Sequence, residues 1–233
     1  MAEPDLTGRV ILITGASRGI GFATARRALE AGARVVLGSK TTERLAAAAE
    51  ELAPYGELIH RAVDVAHYDA VEAFVSLALE RFGRIDVLVN NAGVAWAGDF
   101  ADMPPAAIDA AVTVNVGGVL HGTRAALPTM REQGSGTVIN ISSGAGRTGI
   151  PGLAAYSATK SAVNGFTEAL AGELEGSGME VFAVCPGRVA TDMQETVSGR
   201  RQGVPPERVA EAVLGLLGPR PPIRPGQCLE VIQ

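Results

Sequence analysis

The sequence predicts an α/β fold, a single doubly wound domain over residues 1–233 with a seven-stranded, mostly parallel sheet and helices on both faces. Three observations lead there. Short apolar runs rich in β-branched residues alternate with helix-length segments along the whole chain. The runs are continuous rather than alternating polar and apolar, as strands buried on both faces require. The first of them enters a glycine-rich turn, Thr14-Gly-Ala-Ser-Arg-Gly-Ile-Gly21, which opens into a helical segment. With 233 residues, 47% of them hydrophobic, the chain can bury one large core, and no linker interrupts the series.

In order, residues 9–13 read as a strand and 22–31 as a helix of good helix formers that closes at Gly32. Residues 34–37 are a second strand and 42–52 a helix; 57–63 are a third strand and 68–82 a helix with Val71, Phe74, Val75 and Leu79 on its apolar side. Residues 85–89 form strand four, followed by one long helical stretch over 106–130. Strand five is 136–141, a helix covers 155–174, strand six is 179–184, a helix covers 206–217 and strand seven is 228–232. The proline-rich stretch from Gly218 to Pro225 connects into the last strand.

A strand, a glycine turn and a helix N-terminus present bare backbone N–H groups at the positive end of a helix dipole, where phosphate is held. Gly15 suits a positive φ, Gly19 lets a pyrophosphate approach the backbone, and Gly21 lets the helix sit close on the strand. Ser17, Arg18 and Ile20 complete the turn and count among its candidate contacts. The spacing G-x-x-x-G-x-G departs from the G-x-G-x-x-G dinucleotide fingerprint, and such glycines can also be purely steric.

A doubly wound sheet binds ligands beyond the carboxyl ends of its strands, so the residues after each strand matter. After strand two, an NAD-selective site places Asp or Glu; here stand Ser39 and then Lys40. With Arg18 in the glycine turn, two cations could pair with a 2′-phosphate, which favours NADP(H) over NAD(H). The other reading makes Lys40 an ordinary solvated lysine. Asp64 and Val65 follow strand three, where Asp64 could simply cap the next helix. Asn90, Asn91, Ala92 and Gly93 follow strand four and could be only a turn. Asn115, among Val112, Val114, Val116 and Val119, is either a satisfied core amide or the holder of a water.

Candidate chemistry stands after strand five. Tyr156 and Lys160, four apart, share one helix face, so an ammonium can sit near a phenol oxygen. A nearby cation is expected to lower the phenol from its usual value of about 10 toward the working range of an acid–base catalyst. Ser143, at the end of strand five, could donate to a substrate oxygen beside it. Alone, a Tyr/Lys pair at this spacing is commonly incidental.

Composition excludes other classes. A formal net charge of −5 without a basic stripe argues against nucleic acid. No apolar run approaches the ~20 residues of a membrane span, and the start Met1-Ala-Glu-Pro-Asp5 does not read as a signal peptide. Cys185 and Cys228 lie in apolar strands and read as buried thiols in a reducing cytoplasm, with a disulfide as the alternative. His60, His67 and His121 have no metal-ligand spacing, so no metal site is expected.

Together these pieces identify a resemblance. Thr14 to Gly21, Asn90 to Gly93, Asn115, Ser143, Tyr156-x-x-x-Lys160 and Pro186-Gly-Arg-Val-Ala-Thr191 occur in the order and at the separations of the short-chain dehydrogenase/reductase family, including thirteen residues from Ser143 to Tyr156. The resemblance covers nearly the whole chain and implies a Rossmann domain. It implies that Tyr156 is the general acid in carbonyl reduction and the base in alcohol oxidation. Lys160 would lower the Tyr156 pKa and bind the nicotinamide ribose, Ser143 would polarise the substrate oxygen, and Asn115 would hold a water linking Lys160 to solvent. Asp64 and Val65 would flank adenine, and Asn91, Ala92 and Gly93 would line the cofactor. Pro186, Gly187, Val189 and Thr191 would meet the nicotinamide end.

The resemblance further implies a small-molecule ketone or alcohol substrate and a homodimer or homotetramer built through the long helices. The implied activity is NADP(H)-dependent reduction of a ketone. The alternatives are an NAD-dependent dehydrogenase of a secondary alcohol or diol, and a cofactor-binding regulatory protein without turnover. Two departures stand out: a short lid, about 192–205, and a C-terminus without the family's usual acidic-glycine ending. The expected substrate walls are Gly144, Ala145, Ile150, Gly152, Met193 and Val197, with Ala95 and Trp96 at the back. Arg147 and Arg188 either face water or pair with a substrate carboxylate.

Overall fold

Val10–Thr14 forms β1, and all five of its residues are buried. Its side chains alternate between the two faces, as a strand must: Ile11 and Ile13 enter one core, Val10 and Leu12 the other. β1 pairs in parallel with β2 (Arg34–Ser39) on one side and β4 (Val87–Asn90) on the other. β3 (Leu58–Ala62) forms one edge; β5 (Gly136–Ile141), β6 (Met179–Pro186) and β7 (Cys228–Val231) continue to the opposite one. The order is β3-β2-β1-β4-β5-β6-β7, and every pairing is parallel. Winding reverses between β1 and β4, which opens a crevice beyond their carboxyl ends. This computed structural model describes residues 4–232; residues 1–3 of the stretch searched for a leader, and Gln233, lie outside the described residues.

Helices α1 (Gly19–Glu30), α2 (Thr42–Leu52) and α8 (Pro206–Gly215) cover the first face through Ala25, Leu29, Leu45, Leu52, Val209 and Leu214. Helices α3 (Tyr68–Phe82), α5 (Gly118–Gln133) and α6 (Ala154–Glu173) cover the second through Val71, Phe74, Ala126, Met130 and Leu170. A polar chain crosses this second layer. Asn90 Nδ2 donates to Asn140 Oδ1 at 2.9 Å and to Thr123 Oγ1 at 3.1 Å, and Asn140 Nδ2 donates to Thr167 Oγ1 at 2.9 Å. All four residues are buried. Asn90 Oδ1 faces the bare backbone of Gly122, where a Cβ would collide with it.

The structure departs from the sequence reading in three places. α1 begins at Gly19, three residues before the good helix formers, because Gly19 and Gly21 sit inside its first turn despite their poor propensity. The stretch read as one helix over 106–130 is α4 (Pro105–Val112), a π-helical turn Thr113–Gly117, and α5. The lid contains a short helix, α7 (Asp192–Ser198), capped by the Thr191 hydroxyl accepting from Gln194 N. The remaining ends fall within two residues of the expected ones. Among the described residues no helix is long and apolar enough to cross a membrane, and no group of three or more His, Cys, Asp and Glu is placed to hold a metal. Both cysteines are free; Cys185 is buried, but Cys228 opens the edge strand β7 and is only half-buried, contrary to the expectation for both.

Candidate active site

The glycine turn is shaped by contacts that exclude side chains. Gly15 has φ +65°, and a Cβ on it would lie 2.9 Å from Ala92 Cα and from Asn91 Nδ2. A Cβ on Gly21 would come within 2.5 Å of Asn91 Nδ2 and Gly15 O. Asn91 is the clamp: its Nδ2 donates to Thr14 O at 2.8 Å and Gly15 O at 3.1 Å, while Thr14 Oγ1 accepts from Asn91 N and Ala92 N. The residues after β1 and β4 therefore fix each other. Gly19 has φ +57°, and a Cβ on it would lie 3.2 Å from Thr191 Cγ2 on the far wall.

Between these walls runs a cleft of about 980 Å³ at the carboxyl ends of the strands. It is lined by Gly15, Ser17, Arg18, Gly19 and Ile20, by Ser39 and Lys40, by Asp64 and Val65, and by Asn91, Ala92 and Gly93. Ser143, Tyr156, Lys160, Pro186, Gly187, Val189 and Thr191 also line it. Of the sequence-derived candidates, Gly21 lies under the turn and Asn115 behind the wall, and neither lines the cleft. The expected substrate walls are present except Trp96, which folds over Gly98 outside the cleft. Arg188 lines the cleft and is exposed, whereas Arg147 turns away to pair with Glu230 at 3.3 Å.

Ser143 follows β5 and caps the 3-10 turn Gly144–Gly146, its Oγ accepting from Ala145 N at 3.1 Å. Because that oxygen accepts from the backbone, its own hydrogen stays available to Tyr156, with which it bonds, or to a substrate oxygen. Lys160 is 4% exposed; its Nζ donates to Ile141 O at 2.8 Å and lies 5.6 Å from the Tyr156 ring centre. Burial lowers the Lys160 ammonium to about 8. The Tyr156 phenol is not lowered as expected: burial pushes it up, and the Ser143 bond offsets this only in part. Lys160 points to a backbone carbonyl of β5, which leaves desolvation as the stronger influence on the phenol.

Asn115, fully buried in the π turn, accepts from Val94 N at 2.8 Å and donates to Val94 O at 2.9 Å and Thr159 Oγ1 at 3.1 Å. It ties the segment after β4 to α6.

The cations expected to await a phosphate are already paired. Lys40 Nζ sits 2.7 Å from Asp64 Oδ2, and Arg18 Nη1 sits 2.7 Å from Asp192 Oδ2. Asp64 also accepts from Ala66 N at 3.1 Å in a turn before α3, but the helix N-cap is His67 and no side chain caps it, so Asp64 is not the cap. The Lys40 and Arg18 partners hold the Asp64 and Asp192 carboxyls below the usual carboxylate range. Ser17 and Ser39 hydroxyls meet at 2.9 Å. Sequence reading missed Asp192 and Arg44, both of which line the cleft. Only the position of Asp192, directly after Thr191 in the Pro186 to Thr191 motif, could have pointed to it.

Comparison with known proteins agrees with this geometry. The short chain dehydrogenase family model matches residues 9–202. Over 195 residues the chain is 44% identical to the 3-oxoacyl-[acyl-carrier-protein] reductase of Synechocystis sp., covering 83% of this chain and 79% of that one. The crystal structure of 3-ketoacyl-(acyl-carrier-protein) reductase from Brucella melitensis complexed with NADH superposes with a TM-score of 0.90 at 34% identity, covering 97% of this chain and 98% of the other. The crystal structure of levodione reductase gives 0.91 at 32% identity, covering 97% of each chain. An oxidoreductase acting on C=O and CH–OH groups with a nicotinamide cofactor follows from these matches: the chain belongs to the short chain dehydrogenase family.

Proposed function

We propose that the protein reduces a ketone to a secondary alcohol, reversibly, with NADP(H), and that Tyr156 gives the proton in reduction and takes it in oxidation. One observation carries the reading: Ser143, Tyr156 and Lys160 line the same cleft as the glycine turn. The side-chain-free approach at Gly15 and Gly19 fits a pyrophosphate, so the residues present suit a dinucleotide. When bound, its nicotinamide supplies the hydride. Ser143 donates to the substrate oxygen as charge develops there. Tyr156, a phenol whose ordinary value of about 10 is not lowered here, has a proton to give at neutral pH, and the Lys160 ammonium stands close by to favour the phenolate left behind.

Ser39 supports NADP(H), since no carboxylate occupies the position after β2, and Arg18 and Lys40 are the cations for a 2′-phosphate. NAD(H) is the second reading, favoured by the carboxylates that already hold those two cations and by the NADH in the Brucella melitensis structure. A third reading, a binding protein without turnover, leaves the Ser143, Tyr156 and Lys160 set without a purpose. The walls at Ala95, Gly144, Ala145, Ile150, Met193 and Val197 suit an uncharged, hydrophobic ketone. Gly165 and Gly172 on α6 have open space around them, which suits close packing of that helix in a homodimer or homotetramer; a monomer in light scattering at micromolar concentration would refute this.

The test is Tyr156→Phe assayed with NADPH and NADH against a ketone panel. kcat should fall by about 10²–10⁴ with cofactor affinity nearly unchanged. A variant that reduces ketones at the parent rate would end the proposal.

A further inference from the structure

Asp192 stands at the start of α7, where the lid meets the cleft, and its two carboxylate oxygens are divided between two cations. Oδ2 takes Arg18 Nη1 at 2.7 Å, and Oδ1 takes Arg201. Arg44 of α2 adds a third positive charge that acts on the same carboxylate. Arg18, Arg44 and Asp192 line the cleft together with Ser39 and Lys40. The Arg18 and Asp192 side chains are 55% and 41% exposed, so the pair can open without stranding a buried charge. Arg18 belongs to the glycine turn and Asp192 to the opposite wall, 174 residues later in the chain. A carboxylate thus already holds Arg18, one of the two cations that the NADP(H) reading assigns to a 2′-phosphate.

We propose that Asp192 is an internal competitor for Arg18: a specificity-determining residue that weakens binding of a 2′-phosphate and, while that phosphate is absent, ties the start of α7 to the glycine turn. The inference rests on the NADP(H) reading. Arg18 has donors enough to touch two anions. Doing so would bring carboxylate and phosphate into mutual repulsion, so one of them yields. Arg201 acts in the opposite sense, because it holds the other oxygen and draws the carboxylate toward the lid. Without Arg201, Asp192 belongs to Arg18 more fully.

The experiment is calorimetric titration of the cofactor-free protein with adenosine 2′,5′-bisphosphate and with 5′-AMP, which differ only in the 2′-phosphate. The readout is the ratio of the two dissociation constants. Asp192→Asn should raise the preference for the bisphosphate by up to about fivefold at low salt, the change an exposed ion pair's worth converts to. In about 0.5 M salt, where screening acts over a few ångströms, the effect should largely vanish. Arg201→Gln should lower the preference. A damaged fold would weaken both ligands alike, so the ratio separates competition from misfolding. The inference is overturned if Asp192→Asn leaves the ratio at the parent value or lowers it, or if Arg201→Gln raises it. The parent ratio reports on NADP(H) separately. A parent ratio near one that rises in Asp192→Asn upholds the competitor while the NADP(H) reading fails, and a ratio near one in both proteins defeats both.

Discussion

Lys160→Met should abolish ketone reduction and yet leave the cofactor-free protein at least as stable near neutral pH. The ammonium is buried and its Nζ donates to a neutral acceptor, Ile141 O. Its lowering from 10.5 to about 8, at about 1.4 kcal/mol per tenfold change in the proton equilibrium, corresponds to about 3 kcal/mol. Below pH 8 the folded and unfolded chains are both protonated there, and the folded state bears this cost in full. Between about 8 and 10.5 the unfolded chain keeps a proton that the folded one has shed, so this contribution to stability rises with pH. Methionine fills similar volume without charge but strands Ile141 O, which costs about 1–3 kcal/mol. The variant should therefore gain between nothing and about 2 kcal/mol at pH 7. Urea unfolding of parent and variant at equal protein concentration, at pH 7 and about pH 9.5, isolates the lysine from all other titrating groups. The parent should recover about 2 kcal/mol relative to the variant over that interval. A parent-minus-variant difference that does not move with pH would refute the reasoning.

Two further predictions follow. NADPH should bind at least about fivefold tighter than NADH, because two charge-assisted bonds of about 1.5–3 kcal/mol each outweigh the two exposed ion pairs they displace, worth about 0.2–1 kcal/mol each. Ser39→Asp with Lys40→Ala should reverse that order, and equal dissociation constants in the parent would defeat the NADP(H) reading. Cys228 is half-buried, and its neighbours Cys185 and Arg147 hold it below its ordinary value, while the same neighbour and burial push Cys185 up. Iodoacetamide should label Cys228 with a midpoint below the usual thiol value of about 8.5 and spare Cys185, as peptide mass spectrometry would show. Equal labelling of the two would contradict it.

Strands were legible in this chain because both faces of the sheet are covered. Runs such as Val10 to Ile13 and Val35 to Leu37 had to be apolar throughout, whatever the helices did. The proposed catalytic residues Ser143, Tyr156 and Lys160 were legible only through the family resemblance, since a Tyr/Lys pair at this spacing is commonly incidental. The start of α1 was hidden, since Gly19 and Gly21 serve the turn's close contacts rather than helix propensity. The π turn at Asn115 was hidden too: one extra residue in a helix leaves an apolar pattern that still looks helical. The partners of Lys40 and Arg18 lie 24 and 174 residues away, and only the fold brings them together. The Tyr156 pKa went astray for a related reason. Spacing places Lys160 on the right helix face, but not the direction of its ammonium, which Ile141 decides.

The asparagine chain beneath the cleft has a consequence for the alignment of the active site. β4 is Val87-Leu88-Val89-Asn90, apolar on both faces until its last residue, so hydrophobic burial barely distinguishes the true pairing with β5 from one slipped by a residue. Asn90 opposite Asn140 does distinguish them. A slip would send the two amides to opposite faces and strand several buried polar atoms, each costing about 1–3 kcal/mol. It would also carry Ser143 by about 3.3 Å relative to Gly93, when a misplacement of about 1 Å can cost a hundredfold in rate. Two residues that never face a ligand thus act as the vernier of the catalytic wall.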